Sequence, residues 1–93
     1  MQSNTKYITA TGLVRTGEGK VMGVIVSSHS SGTLKLEDSV GGGQDLLVNT
    51  YTFATGSQII TFPKPIHFFN GLYATLGGSN NKLTFVFLDA EAE

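Results

Sequence analysis

Residues 61–78 read TFPKPIHFFNGLYATLGG. This stretch holds both prolines of the chain, its one Asn-Gly pair and three of its six phenylalanines. Phe68-Phe69 before Asn70-Gly71 and Leu72-Tyr73 after it are good strand residues. Asn and Gly tolerate the positive φ that a type I′ turn demands at both central positions, so a hairpin is expected there. Pro63 and Pro65 lack a backbone donor and do not suit a central ladder position. Two readings of residues 62–65 stay open: a kink where the chain crosses between sheets, or an edge strand with a bulge.

Working outward, residues 6–15 (KYITATGLVR) read as a strand, with Gly12 marking a bulge or close approach. Residues 20–28 (KVMGVIVSS) are the most apolar run, and Val and Ile favour strand over helix. His29-Ser30-Ser31-Gly32 reads as a turn, and residues 33–38 (TLKLED) alternate with Leu34 and Leu36 inward. Residues 39–44 form a glycine-rich loop and residues 45–53 a strand. Residues 54–57 turn the chain into a strand at 58–62. Residues 72–76 and 82–88 complete the set, separated by a loop at 77–81. About eight short strands with turns every roughly 8–12 residues predict one all-β domain over residues 1–93, an antiparallel β-sandwich with a jelly-roll-like arrangement. An immunoglobulin-like sandwich is the other candidate. Residues 1–4 are expected to be a loose arm and residues 89–93 an acidic tail.

Charge is scarce. Charged residues are 14% of the chain and the net charge is −1, whereas a typical globular domain has about 25%. The six basic residues are scattered, which argues against a nucleic-acid partner. Met1–Gly12 has no basic cluster followed by an apolar run, so no signal peptide is expected, and no apolar run reaches the roughly 20 residues that span a bilayer. There is no cysteine.

Too many strand faces are apolar. In residues 20–28 alternation places Val21 and Ile25 on one face and Met22, Val24 and Val26 on the other. In residues 82–88 Leu83, Phe85 and Phe87 oppose Val86 and Leu88. One Val, Leu or Phe side chain is worth about 1.5–3 kcal/mol on burial, so a second apolar face on each strand calls for a cover. Self-association is the expected cover; the alternative is a domain that folds over itself more than a simple sandwich does. The interface expected from this pattern comprises Met22, Val24, Val26, His67, Phe69, Val86 and Leu88.

Chemistry leaves few candidates. His67 lies in a strand on the face of Phe69 and is read as a packed or interface histidine. His29 among Ser28, Ser30 and Ser31 superficially resembles a base beside nucleophiles, but no strand-to-helix elbow follows. Glu37, Asp38 and Asp45 flank Gly41–Gly43 and offer oxygen ligands for a calcium loop. Gly41-Gly42-Gly43 lacks the Lys-Ser/Thr of a phosphate loop. Tyr7, Tyr51 and Tyr73, amid many Asn, Ser and Thr, suit a glycan-binding face. No enzyme activity, cofactor or metal is expected.

Two segments carry a resemblance: GKVMGVIVSSHSSGTLKLED at 19–38 and PKPIHFFNGLYATLGGSNNKLTFVF at 63–87. Together they are similar to small all-β virion proteins of tailed bacteriophages, over roughly residues 19–88. The resemblance lies in turns and core patterning. It implies a jelly-roll-like structural component of the virion, made in the host cytoplasm, that decorates the head or belongs to the tail or a fibre. It also implies a homo-oligomer, often a trimer, contacting other virion proteins, and no binding residue carries over. The alternative function is a small carbohydrate-binding module.

Overall fold

The computed structural model describes residues 5–41, 43, 45–53 and 57–88. The expected arm at 1–4, acidic tail at 89–93 and most of the turn at 54–57 lie outside these residues. The described chain is all-β: β1 (Thr5–Ile8), β2 (Gly12–Thr16), β3 (Gly19–Asp38), β4 (Asp45–Thr52), β5 (Gln58–Phe68) and β6 (Gly71–Phe87). All six belong to one antiparallel sheet.

Two strands differ from expectation by being long. β3 fuses the segments expected at 20–28 and 33–38, and β6 fuses 72–76 with 82–88. They pair with each other from Val21↔Phe87 to Asp38↔Leu72. Twenty extended residues would reach about 66 Å, yet the longest dimension of the molecule is 38 Å. The long pair must therefore bend. It does so where the ladder is most irregular, around Ser30↔Ser79. Ser31 (φ 53°), Asn80 (φ 57°) and Gly78 (φ 82°) all adopt left-handed backbone there. The expected turn at 29–32 and loop at 77–81 are thus two sides of one corner.

Side chains fasten that corner. Ser28 Oγ donates to the Asn80 carbonyl (3.2 Å), Asn80 Nδ2 to Ser30 Oγ (3.3 Å) and Asn81 Nδ2 to the Gly77 carbonyl (3.0 Å). Gly32 N–H donates to His29 Nδ1 (3.2 Å), and the imidazole meets the edge of Phe53 at 5.2 Å. The Ser28 and Ser30 hydroxyls are therefore tied into the corner.

The bend divides the pairing into two halves. In one, β5 and β6 flank residues 19–26 of β3, and β1 pairs with residues 83–86 of β6. In the other, β4 and β6 flank residues 33–38 of β3, and β2 pairs with residues 71–74 of β6. One buried cluster draws on both: Val21, Val24, Phe85 and Phe87 from the first, Leu34, Leu36 and Leu72 from the second. The Arg15 guanidinium lies 3.8 Å from the Phe87 ring centroid.

Asn70-Gly71 does not close a hairpin. β5 pairs with β3 and not with β6, and neither residue has positive φ. The connection instead carries the chain from one half of the sheet to the other. Of the two readings of residues 62–65, the edge strand with a bulge is the one found. β5 runs through both prolines, and its partners jump from Gly23↔Thr61 to Val21↔Ile66. Residues 6–15, expected as one strand, break into β1 and β2 at residues 9–11, and the two pair with opposite halves of β6.

Two glycine substitutions should separate corner packing from general strand propensity. A methyl group on Gly32 would meet Phe53 Cδ2 at 2.6 Å and His29 Cβ at 2.9 Å, whereas one on Gly12 meets nothing within 4 Å. Gly32→Ala is expected to cost about 1–3 kcal/mol through overpacking. Gly12→Ala is expected to be neutral or slightly stabilising. Urea unfolding of the two variants checks both.

Candidate interaction face

The outer face of the half-sheet containing β1 and β5 is built by cross-strand register. Ile59, Ile25, Thr84 and Tyr7 form one row across β5, β3, β6 and β1. Thr61, Gly23, Val86 and Thr5 form the next. Met22 stands beside the second row and is 42% exposed. None of these nine residues is charged. Lys20 lies towards one end of the face, opposite His67, and Lys82 lies beyond the other, opposite Ser28.

Ile59 is the most exposed large apolar side chain described, at 70%. It forms a ridge between two hollows. One, of about 240 Å³, is lined by Met22, Ile25, Ile60, Phe62 and Val86 as well as Ile59; the other lies towards Ser27, Ser57 and Gln58. Gly23 is needed at the floor, because a methyl group there would meet the Ile60 carbonyl oxygen at 2.5 Å.

The expected interface set divides. Val24 and Val26 belong to the protein's own core, at 1% and 0% exposure, and are not on the outer face. The register shift between Val21 and Gly23 explains this. A bulge adds one residue to the alternation, so Val21, Val24 and Val26 all point inward while Met22 and Ile25 point outward. Met22, Leu88 and Phe69 are exposed, and Val86 and His67 half-buried. His67 and Phe69 sit past Lys20, away from the central rows. Ile25, Ile59 and Tyr7 were not expected on this face. Alternation in residues 58–62 signals Ile59, but Ile25 depends on a bulge that no residue type announces.

The opposite half-sheet presents a different exterior. Its central row runs Leu13, Tyr73, Glu37, Leu46, and Lys35 Nζ approaches Glu37 Oε2 at 3.9 Å. The three tyrosines do not converge on one strand region. Tyr7 is on β1, Tyr73 on β6 in the other half, and Tyr51 on β4, where Gln58 Nε2 donates to its hydroxyl at 3.5 Å.

Two of the three carboxylates considered for calcium, Glu37 and Asp38, serve the backbone. Glu37 Oε1 accepts from Gly43 N–H at 3.1 Å. Asp38, 4% exposed, accepts from the N–H groups of Asn70 (2.7 Å, Oδ1), Phe69 (3.0 Å, Oδ2) and Gly71 (3.4 Å, Oδ1). Ser39 N–H donates to the Gly71 carbonyl and Gly17 N–H to the Asn70 carbonyl, each at 3.1 Å. Among the described residues no three His, Asp or Glu side chains converge as metal ligands. Asp38 is thus the clamp that holds the crossing from β5 to β6. Burial pushes its carboxyl up, but the donors from Asn70, Phe69 and Gly71, with the nearby His67, together outweigh that effect and hold it below the ordinary 3.8.

No protein family, curated protein or solved structure matches the chain.

The sign of the Asp38 effect gives a pH test. A carboxyl that is more acidic folded than unfolded contributes stability that is complete above its unfolded value and is lost as pH falls through its folded value. Asp38→Asn should cost about 2 kcal/mol near neutrality, by weakening charge-assisted bonds to buried donors. The gap between variant and parent should narrow as pH falls below the ordinary 3.8. Urea midpoints across that range measure it.

Proposed function

We propose that this protein is a non-enzymatic, homo-oligomeric structural protein of jelly-roll architecture, a component of a tailed-phage particle. The observation that carries the self-association is the uncharged face around Ile59, Ile25, Met22 and Val86. Several large aliphatic groups held in water on a 93-residue chain cost about as much as a marginal fold has to spare. A second copy is the occupant the face fits. Ridge and hollow lie side by side, so each copy can seat its Ile59 in the other's hollow. With no charge in the central rows, two such faces meet without like-charge repulsion. Reciprocal seating is two-fold; the trimer implied by the resemblance passes the ridge of each copy to the next around a closed ring. Both use the same residues.

Strand order supports the jelly-roll reading. Divide β3 and β6 at the corner and eight segments result. In chain order they occupy the first half, second, first, second, second, first, second and first. The two four-segment orders are β5-β3-β6-β1 and β4-β3-β6-β2. Eight strands in two sheets with this interleaving are what two nested Greek keys produce. The virion assignment rests on the resemblance at 19–38 and 63–87 and on this architecture.

Light scattering at micromolar to roughly 100 µM concentration, where a standard-sized interface holds together, tests the assembly. The expected mass is a small multiple of 9.9 kDa. Ile59→Asp and Ile25→Asp should each return it to a single copy with the same circular dichroism. Val24→Asp should instead unfold the protein, since it places a charge in the core at a cost above about 4 kcal/mol. A wild-type mass of one copy throughout that range would remove the self-association reading.

A further inference from the structure

The crossing from β5 to β6 ends in an aromatic surface that neither the core nor the apolar face uses. Phe69 is 61% exposed. Its ring stacks on His67, with centroids 4.2 Å apart and planes 26° from parallel. His67 Nε2 is in turn 2.7 Å from Glu18 Oε2, on the turn between β2 and β3. The backbone beneath the ring is fixed by the Asp38 carboxylate, which accepts from the N–H groups of Phe69, Asn70 and Gly71. So a carboxylate orients an imidazole, the imidazole supports a phenyl ring, and a second carboxylate holds the chain that carries it.

We propose that the Phe69–His67–Glu18 cluster is a stacking site for a neutral saccharide ring. His67 covers one face of the Phe69 ring, and the exposure of Phe69 leaves room on the other for a ligand. The surroundings select the ligand class. Glu18, whose side chain is 63% exposed, offers carboxylate acceptors at the rim. Asn70 is exposed beside Phe69, and Lys20 is exposed as the cross-strand neighbour of His67. One exposed anion and one exposed cation leave the rim close to neutral, which does not favour a charged ligand. A purely apolar partner would leave these polar groups facing it unpaired. A pyranose ring satisfies both features, with axial C–H groups for the phenyl face and equatorial hydroxyls for the carboxylate, amide and ammonium. A platform fixed before binding loses little freedom when it is occupied. This site lies at the Lys20 end of the self-association face, away from its central row: Lys20 and Ile25 are five positions apart on β3, about 17 Å along an extended strand.

The test is a titration of the full chain, labelled with ¹⁵N, with the methyl glycosides of glucose, galactose and N-acetylglucosamine. Each is taken to about 100 mM, far above the millimolar range in which one stacked ring binds. At least one glycoside should give saturable amide shifts centred on Phe69 and Asn70 and extending to Glu18. Phe69→Ala should weaken that binding at least about tenfold while keeping a dispersed spectrum, and Phe69→Trp should preserve or improve it. Ile59→Asp should leave it unchanged. Three results would each overturn the proposal: no saturable shift with any of the three sugars, saturable shifts centred instead on Tyr51 or on the Ile25–Ile59 row, or binding that survives Phe69→Ala.

Discussion

One long antiparallel pair sets the geometry of this protein. β3 and β6 are bonded along most of their length, and together they are too long to lie straight inside the molecule. The bend at residues 28–33 and 77–82 brings the two halves of the sheet around a single core. Every other strand is an addition to one half: β1 and β5 to the first, β2 and β4 to the second. The chemistry of the corner follows from that demand. Left-handed backbone at Ser31, Gly78 and Asn80 needs residues that tolerate it. Gly77 and Gly78 also sit where a Cβ would strike Thr33 and the Ser30 carbonyl. Serine, asparagine and glycine are concentrated there because the backbone bends, loses ladder bonds and must find replacements in short polar side chains.

The second constraint is the buried carboxylate of Asp38. It lies at the end of β3 where the first half of the sheet hands the chain to the second. It accepts from the backbone N–H groups of residues 69–71, where β5 has ended and β6 begins. A hairpin at Asn70-Gly71 would have satisfied its own donors across the turn. Because β5 and the start of β6 lie beside β3 in different halves, those donors need another acceptor, and a charged one compensates for its own burial through three bonds. The sequence carries this relation only as an acidic pair, Glu37-Asp38, whose Asp38 lies 31 to 33 residues from its partners.

What could be read from the residues alone follows the distance over which the cause acts. The all-β class, the apolar runs and the inward Leu34 and Leu36 came from period-two patterning, a local property. The turn expected at 29–32 and the loop expected at 77–81 are not breaks: both lie inside strands and mark only where those strands bend. That they lie opposite each other and form one corner depends on pairing across fifty residues, which patterning does not encode. The same limit explains Val24 and Val26. Strict alternation assigned them to the outer face, and one bulge beside Met22 reversed them. A register slip of a single residue flips every later side chain, so a face assigned by counting is only as good as the absence of bulges. The prolines were the better guide. Pro63 and Pro65 marked an irregularity, leaving a kink between sheets and a bulged edge strand both open, and the bulge lies where they are.

The surplus of apolar strand residues survives this correction, in a smaller form and at a different place. Placing Val24 and Val26 inside removes two members from the outer face, but Ile25, Ile59 and Tyr7 join it, so the face remains uncharged across four strands. Its edges are managed and its surface is not. β1 is only four residues long, and β5 is kinked and carries two prolines, both of which discourage growth of the sheet by edge pairing. Among the described residues, the face between them has neither a central charge nor a covering helix. A sheet protected at its edges and left bare on its surface favours packing of one face on another over extension of the ladder. That preference is consistent with the closed assembly proposed above, and it is why an aspartate at Ile59 or Ile25 would distinguish a protein that works alone from one that works in copies.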